Sequence, residues 1–244
     1  MRDERVPLRQ RRELGQIIDA AGKLYVGNFW PLFRIAWVVM PLGLASSVFQ
    51  ASIKNGVARE VVVDALLVGQ LAVSALVAAA IISGLGAIDA GQPVDFSRAY
   101  DAAFERVGTL LGATARVLFH VFLFVATIIG LPWAVQRLVR WLFTVQAIMI
   151  DGADWKDALS VSARAVEGSW WRTLGVFAAI WVMVAVPSLL ASGLLLVAPA
   201  LVSGVAFALL EAAVLPFFVT ATTLLYFDLN VRKEEAAAVA SSDS

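Results

Sequence analysis

The chain has 244 residues, 60% hydrophobic and 16% charged, with mean hydropathy +0.81 and 19 basic against 19 acidic side chains. A balanced charge excludes the electrostatic footprint of a nucleic-acid binder, and the length leaves little room for a soluble domain beside one helical bundle. Without cysteine there is no disulfide, thiol nucleophile or thiolate metal site.

In chain order, residues 1–28 form a basic stretch, MRDERVPLRQRRELGQ, and a first amphipathic helix. No apolar stretch with a cleavage site follows closely, so no secretory signal is expected. Leu14, Ile17, Ile18, Ala21, Leu24 and Tyr25 share one helical face. Two membrane spans are predicted over 29–49 and 61–86. A second amphipathic helix over 95–107 carries Phe96, Ala99, Tyr100, Ala103, Phe104 and Val107 on one face, with Asp95 as its N-cap. Spans follow over 109–131 and 133–150, the latter interrupted by Arg137 and Arg140. An arginine at a helix centre costs roughly 2.5–3.5 kcal/mol on insertion scales. A third amphipathic helix over 154–167 starts with Asp154 and Asp157 spaced like a capping box.

The segment 173–210 carries no charged side chain. As one helix it would be roughly 57 Å long, whereas one bilayer crossing needs about 20 residues. It therefore folds as two passes, turning near 193–199, and yields spans over 173–195 and 201–227. A polar tail, 229–244, closes the chain. The predicted fold is all-α: a polytopic membrane protein with six transmembrane helices in a membrane domain over 29–228.

Three features recur. Each hairpin (29–86, 109–150, 173–227) is preceded by an amphipathic elbow helix. Gly27-Asn28-Phe29-Trp30 matches Gly168-Ser169-Trp170-Trp171, and each hairpin ends on an aspartate: Asp89, Asp151 and Asp228. These are parallel repeats, unlike the inverted repeats of many alternating-access transporters. Arg2, Arg5, Arg9, Arg11, Arg12, Lys23, Arg98, Arg106, Lys156, Arg164, Arg172, Arg232 and Lys233 flank one set of span ends; Lys54 and Arg59 flank the other. Basic residues stay inside, so both termini and the elbows are expected in the cytoplasm.

The segments IIDAAGKLYVGNFWPLF, ALSVSARAVEGSWWRTLG and TLLYFDLNVRKEE resemble the membrane domain of the glycerophosphoryl diester phosphodiesterase membrane-domain family. That resemblance covers nearly the whole chain and implies a six-helix protein of a bacterial or archaeal cytoplasmic membrane. The catalytic phosphodiesterase domain of some members is missing, and with it the acidic metal ligands, so phosphodiesterase activity is not expected.

Among intramembrane polar groups Glu211 is the sharpest, because an acid at that depth is costly unless paired. One reading pairs it with Arg137 or Arg140; another makes it a proton or cation site. Arg116 and His120 lie one turn apart on the third span and share a face; a lone histidine is a poor metal site. Asp89, Asp151 and Asp228 are read as helix caps or partners of elbow arginines. The tryptophans near span ends suit an aromatic belt, and Pro41, Pro187 and Pro216 suit kinks. No P-loop, nucleophile elbow or HExxH motif occurs. The expectation is a non-enzymatic membrane protein without cofactor, lipid-organising or part of a membrane complex. Its partners would be membrane lipids, another membrane protein or a second copy. The alternative is a small transporter or channel lined by Glu211, Arg137, Arg140 and His120; an intramembrane lipid enzyme ranks last.

Overall fold

The computed structural model describes residues 6–52, 56–126, 131–195 and 199–242. Arg2, Arg5 and Lys54 lie outside them, as do 127–131 in part and 196–198, where the third span ends and the last two spans turn. Every regular element among the described residues is helical. Five stretches are long and apolar enough to cross a membrane: Phe29–Ser46, Glu60–Asp89, Val107–Phe124, Trp170–Gly193 and Val202–Ser242. Their outer faces fit that solvent, since Phe122 is 70% exposed and Leu189 74%. Water-facing surfaces seldom carry such extended apolar patches.

Helix α1 (Leu14–Gly27) opens the fold, with a capping box between Glu13 and Gln16 that satisfies two otherwise unpaired amide groups. It buries Ile17, Ala20, Ala21 and Leu24. Its start is fixed where the Arg12 N–H donates to Asp228, and its end where the Tyr25 hydroxyl donates to the Ala213 carbonyl at 2.6 Å. The helix is roughly 21 Å long, and 213–228 of the last helix spans about 22 Å. So α1 lies lengthwise along that helix, antiparallel to it.

The first hairpin pairs α2 (Phe29–Ala36) and α3 (Met40–Ser52) with α4 (Val57–Asp89). A 3-10 turn, Trp37–Val39, separates α2 from α3. Pro41, the second residue of α3, has no N–H to continue the α-helical ladder, so the expected kink sits here. α2 approaches α4 at Gly84, where a Cβ would come within 3.3 Å of Val94 and 3.4 Å of Ile35. Helix α5 (Phe96–Glu105) is capped by Asp95, whose carboxylate accepts from the Arg98 N–H at 2.9 Å. It buries Ala99, Tyr100 and Ala103 and leaves Phe96 and Phe104 exposed. The Tyr100 hydroxyl donates to the Ile35 carbonyl at 2.8 Å, and burial raises its pKa.

The second hairpin departs from the sequence reading. After α6 (Val107–Ala126), residues 133–150 do not form one spanning helix. They form α7 (Leu131–Arg140) and α8 (Thr144–Met149), broken at 141–143. The break has a specific support in Ser162 of α9 (Ala158–Val166). Its hydroxyl accepts from the Phe143 N–H at 3.0 Å and donates to the Arg140 carbonyl at 2.7 Å. One fully buried hydroxyl thus satisfies both backbone groups that the interrupted ladder would strand. The expected Asp154–Asp157 capping box is absent: Asp157 is the N-cap without a side-chain bond, and Asp154 accepts from the Trp155 N–H instead.

The third hairpin is α10 (Trp170–Leu195) and α11 (Ala200–Ser242), both with an internal proline. α11 is the axis of the molecule, packing against α1, α2, α3, α4, α9 and α10. Glycines at φ +69° follow two of the repeated aspartates: Gly91 after Asp89 and Gly152 after Asp151. That left-handed backbone favours glycine.

Candidate functional site

The three repeated aspartates lie at one end of the bundle, but each has its own partner. Asp89 accepts from the Leu8 N–H at 3.2 Å, and Asp151 accepts from the Tyr226 hydroxyl. Asp228 is fully buried. It accepts from the Arg12 N–H at 2.7 Å, from Arg172 Nε and Nη2 at 3.2 and 3.1 Å, and from Arg232 Nε at 3.0 and 3.1 Å. The same two guanidinium groups reach Glu13, at 3.2 Å from Arg172 and 2.8 Å from Arg232. The Arg12 carbonyl accepts from both arginines, at 2.6 and 3.1 Å. Two arginines between two carboxylates thus fix the strand before α1 to the ends of α10 and α11. The hydrogen bond from Arg232, then that from Arg172, holds the Glu13 carboxyl below its ordinary pKa of 4.5. No side-chain contact joins the three aspartates among the described residues, so they do not form one shared pocket.

Glu211 does not meet Arg137 or Arg140. Gln70 Nε2 donates to its Oε1 at 2.8 Å. The reason is longitudinal. The Trp170 indole N–H reaches the Gln136 carbonyl at 3.4 Å, which places α7 beside the start of α10, at the level of Arg172 and Asp228. Glu211 lies roughly 26 Å farther along α11 at 1.5 Å per residue. The broken second hairpin therefore keeps both arginines near the basic end, where Arg140 shares a shallow pocket with Trp133, Trp170 and Trp171. The intramembrane cluster expected of Glu211, Arg137, Arg140, Arg116 and His120 is not assembled. Arg116 donates to the Lys156 carbonyl at 2.7 Å; His120 Nδ1 lies 2.7 Å from the Arg116 carbonyl and its ring 5.1 Å from that of Trp141.

Around Glu211 is a cavity of about 310 Å³ between α3, α4 and α11, lined also by Gly43, Ser46, Val63, Gln70 and Gly204. Gln70 Oε1 is buried with no hydrogen-bond partner among the described residues. The sequence reading passed over Gln70, although it is the sole side-chain amide between Val61 and Gly86. About one to two helical turns past Gly43 and Gln70 toward the basic end, Val39, Met40 and Val77 are all buried.

A second cavity, about 220 Å³, lies between the first and second hairpins. Leu71 and Ala75 of α4 form one wall; Leu110, Val117 and Leu118 of α6 form another, and Trp141, Val145 and Ile148 close it. Its only polar side chains besides the indole are Thr114 and Thr144. The turn between α7 and α8 creates this groove, because a straight helix over 133–150 would place other residues against α6.

Comparison with protein-family models, with curated proteins and with solved structures finds no match to this chain. Among the described residues no group of three or more histidine, aspartate or glutamate side chains is placed to hold a metal.

Proposed function

We propose that this is a non-enzymatic, multi-pass protein of a bacterial or archaeal cytoplasmic membrane that holds a lipid chain between its first two hairpins. The supporting observation is the groove of about 220 Å³ between α4, α6 and α8, which carries no charged side chain. In a membrane such an opening faces acyl chains rather than water. The reading keeps the basic end, with its three short helices, in the cytoplasm, by the excess of arginine and lysine there. It also keeps the repeat pattern and the family resemblance. Membrane lipids are the primary partner, with a second copy or another membrane protein alongside.

Native mass spectrometry from mild detergent tests the reading. The parent protein is expected to retain lipid adducts, and Ala75→Phe with Thr114→Phe to lose them while unfolding at nearly the same temperature. Identical adducts in the filled variant, or none in the parent, overturn it. The transport alternative has one observation in its favour, the polar cavity at Glu211. The burial of Val39, Met40 and Val77 farther toward the basic end argues for occupancy rather than passage.

A further inference from the structure

We infer that the cavity at Glu211 is a binding site for a singly charged cation entering from the end opposite Arg172 and Arg232. From Val63 to Gln70 on α4, and from Gly204 to Glu211 on α11, the lining runs roughly 10 Å along each helix. Its mouth is near the Gly56 end of α4, and its floor is the Gln70–Glu211 pair. At that floor the amide N–H of Gln70 is spent on Glu211 Oε1. That leaves two oxygen acceptors, Gln70 Oε1 and Glu211 Oε2, facing a space with no cationic side chain among the described residues. Gly43 flanks the floor: a Cβ there would sit 3.8 Å from Glu211 Oε2, in ordinary contact.

Two acceptors and one negative charge specify the ligand class. A buried carboxylate seeks a counter-charge, and an orphaned carbonyl oxygen seeks a donor or a metal ion. Calcium takes six to eight oxygens, usually from several carboxylates, and soft metals take thiolate or imidazole; the lining offers neither. A hard monovalent cation, either an alkali ion or a primary ammonium group, satisfies both acceptors. The burial of Val39, Met40 and Val77 beyond the floor makes this a dead-ended site. It stands apart from the lipid groove, which shares none of its residues, so either can fail without the other.

The test is thermal unfolding of the whole protein in detergent, at fixed pH and ionic strength, with choline chloride replaced stepwise by sodium, potassium or methylammonium chloride. A ligand that binds only the folded state raises the transition in a saturable way. The expected result is a rise of about 2–4 °C with one of the three, which identifies the source. Gln70→Leu should weaken the apparent affinity about tenfold or more, and Glu211→Gln should abolish the response. If Glu211→Gln fails to fold, Gly204→Leu, which blocks the mouth, should abolish it instead. An infrared difference spectrum of the parent should show a carboxylate band moving as the cation saturates. Equal shifts with all three salts, or a response that survives in Gln70→Leu and Gly204→Leu, overturn the assignment.

Discussion

Arg172 and Asp228, 56 residues apart, join through two nitrogens of one guanidinium at 3.1 and 3.2 Å, the carboxylate fully buried and the arginine only partly so. Arg232 approaches the same carboxylate from one turn farther along α11, so two cations share this one buried acid at the end of the bundle. Removing it leaves both without their buried partner. Asp228→Ala is expected to cost about 3–5 kcal/mol, read as a lowered unfolding temperature in detergent. Arg172→Lys should fall between, because an ammonium cannot present two parallel donors.

Glu13 gives the same cluster a pH dependence. Its carboxyl pKa is depressed in the folded protein by Arg232 and then Arg172, so the folded state favours the charged form. The contribution is complete above the ordinary value of 4.5 and is lost as pH falls through the lower folded value. Thermal unfolding should show an acid-side loss of stability that is smaller in Glu13→Gln, while the two proteins run parallel above that range. Equal acid sensitivity would remove Glu13 from the account.

Ser162 holds the break in the second hairpin. Ser162→Ala strands the Phe143 N–H and the Arg140 carbonyl at a buried position. The expected cost is about 1–3 kcal/mol for each unpaired group, and Ser162→Thr should recover part of it. Hydrogen exchange at Phe143 is the direct readout and should accelerate in the alanine variant.

The distance between Glu211 and the α7 arginines sets a further expectation. Glu211→Gln combined with Arg140→Gln, or with Arg137→Gln, should give losses that add within about 0.5 kcal/mol, as for sites without shared partners. Glu211→Gln combined with Gln70→Leu should depart from additivity, because these two side chains touch. Recovered stability in either arginine double mutant contradicts the geometry.

The absence of native cysteine makes the orientation directly measurable. Ser52→Cys, at the end of α3, and Ser242→Cys, at the end of α11, should react with a membrane-impermeant maleimide from opposite sides. Reaction of both from one side would require an even number of crossings between them.

What the sequence revealed depended on the range of the interaction. The long apolar helices and the Asp95 cap rest on composition and neighbouring residues, and they are where the residues place them. The N-cap at Glu13 was equally local but went unread, since glutamate is a weaker cap signal than serine or aspartate. Span four failed because its interruption depends on Ser162, a side chain from another helix. Its arginines were a sound warning that the segment is not a plain crossing. The Glu211 pairing failed for the same reason: depth along the bundle was inferred from an unbroken helix, and the segment is interrupted at 141–143. Gln70 carries no charge and disappears in hydropathy, so only its tertiary neighbour reveals it.

The hydrogen bond from the Arg12 backbone to Asp228 closes a loop of 216 residues, and that has a consequence for biogenesis. At synthesis rates of about 5–20 residues per second, roughly 11–43 s separate the two residues' emergence from the ribosome. Through that interval α1 has no α11 to lie along, and its buried stripe is uncovered. The early helices are therefore clients of the insertion machinery until the last one arrives, and a ribosome stalled before Asp228 leaves a chain whose opening segment is held only through Leu8 and Asp89. Membrane quality-control proteases would meet that segment first, so the half-life of stalled chains should depend on α1 more than on any apolar crossing.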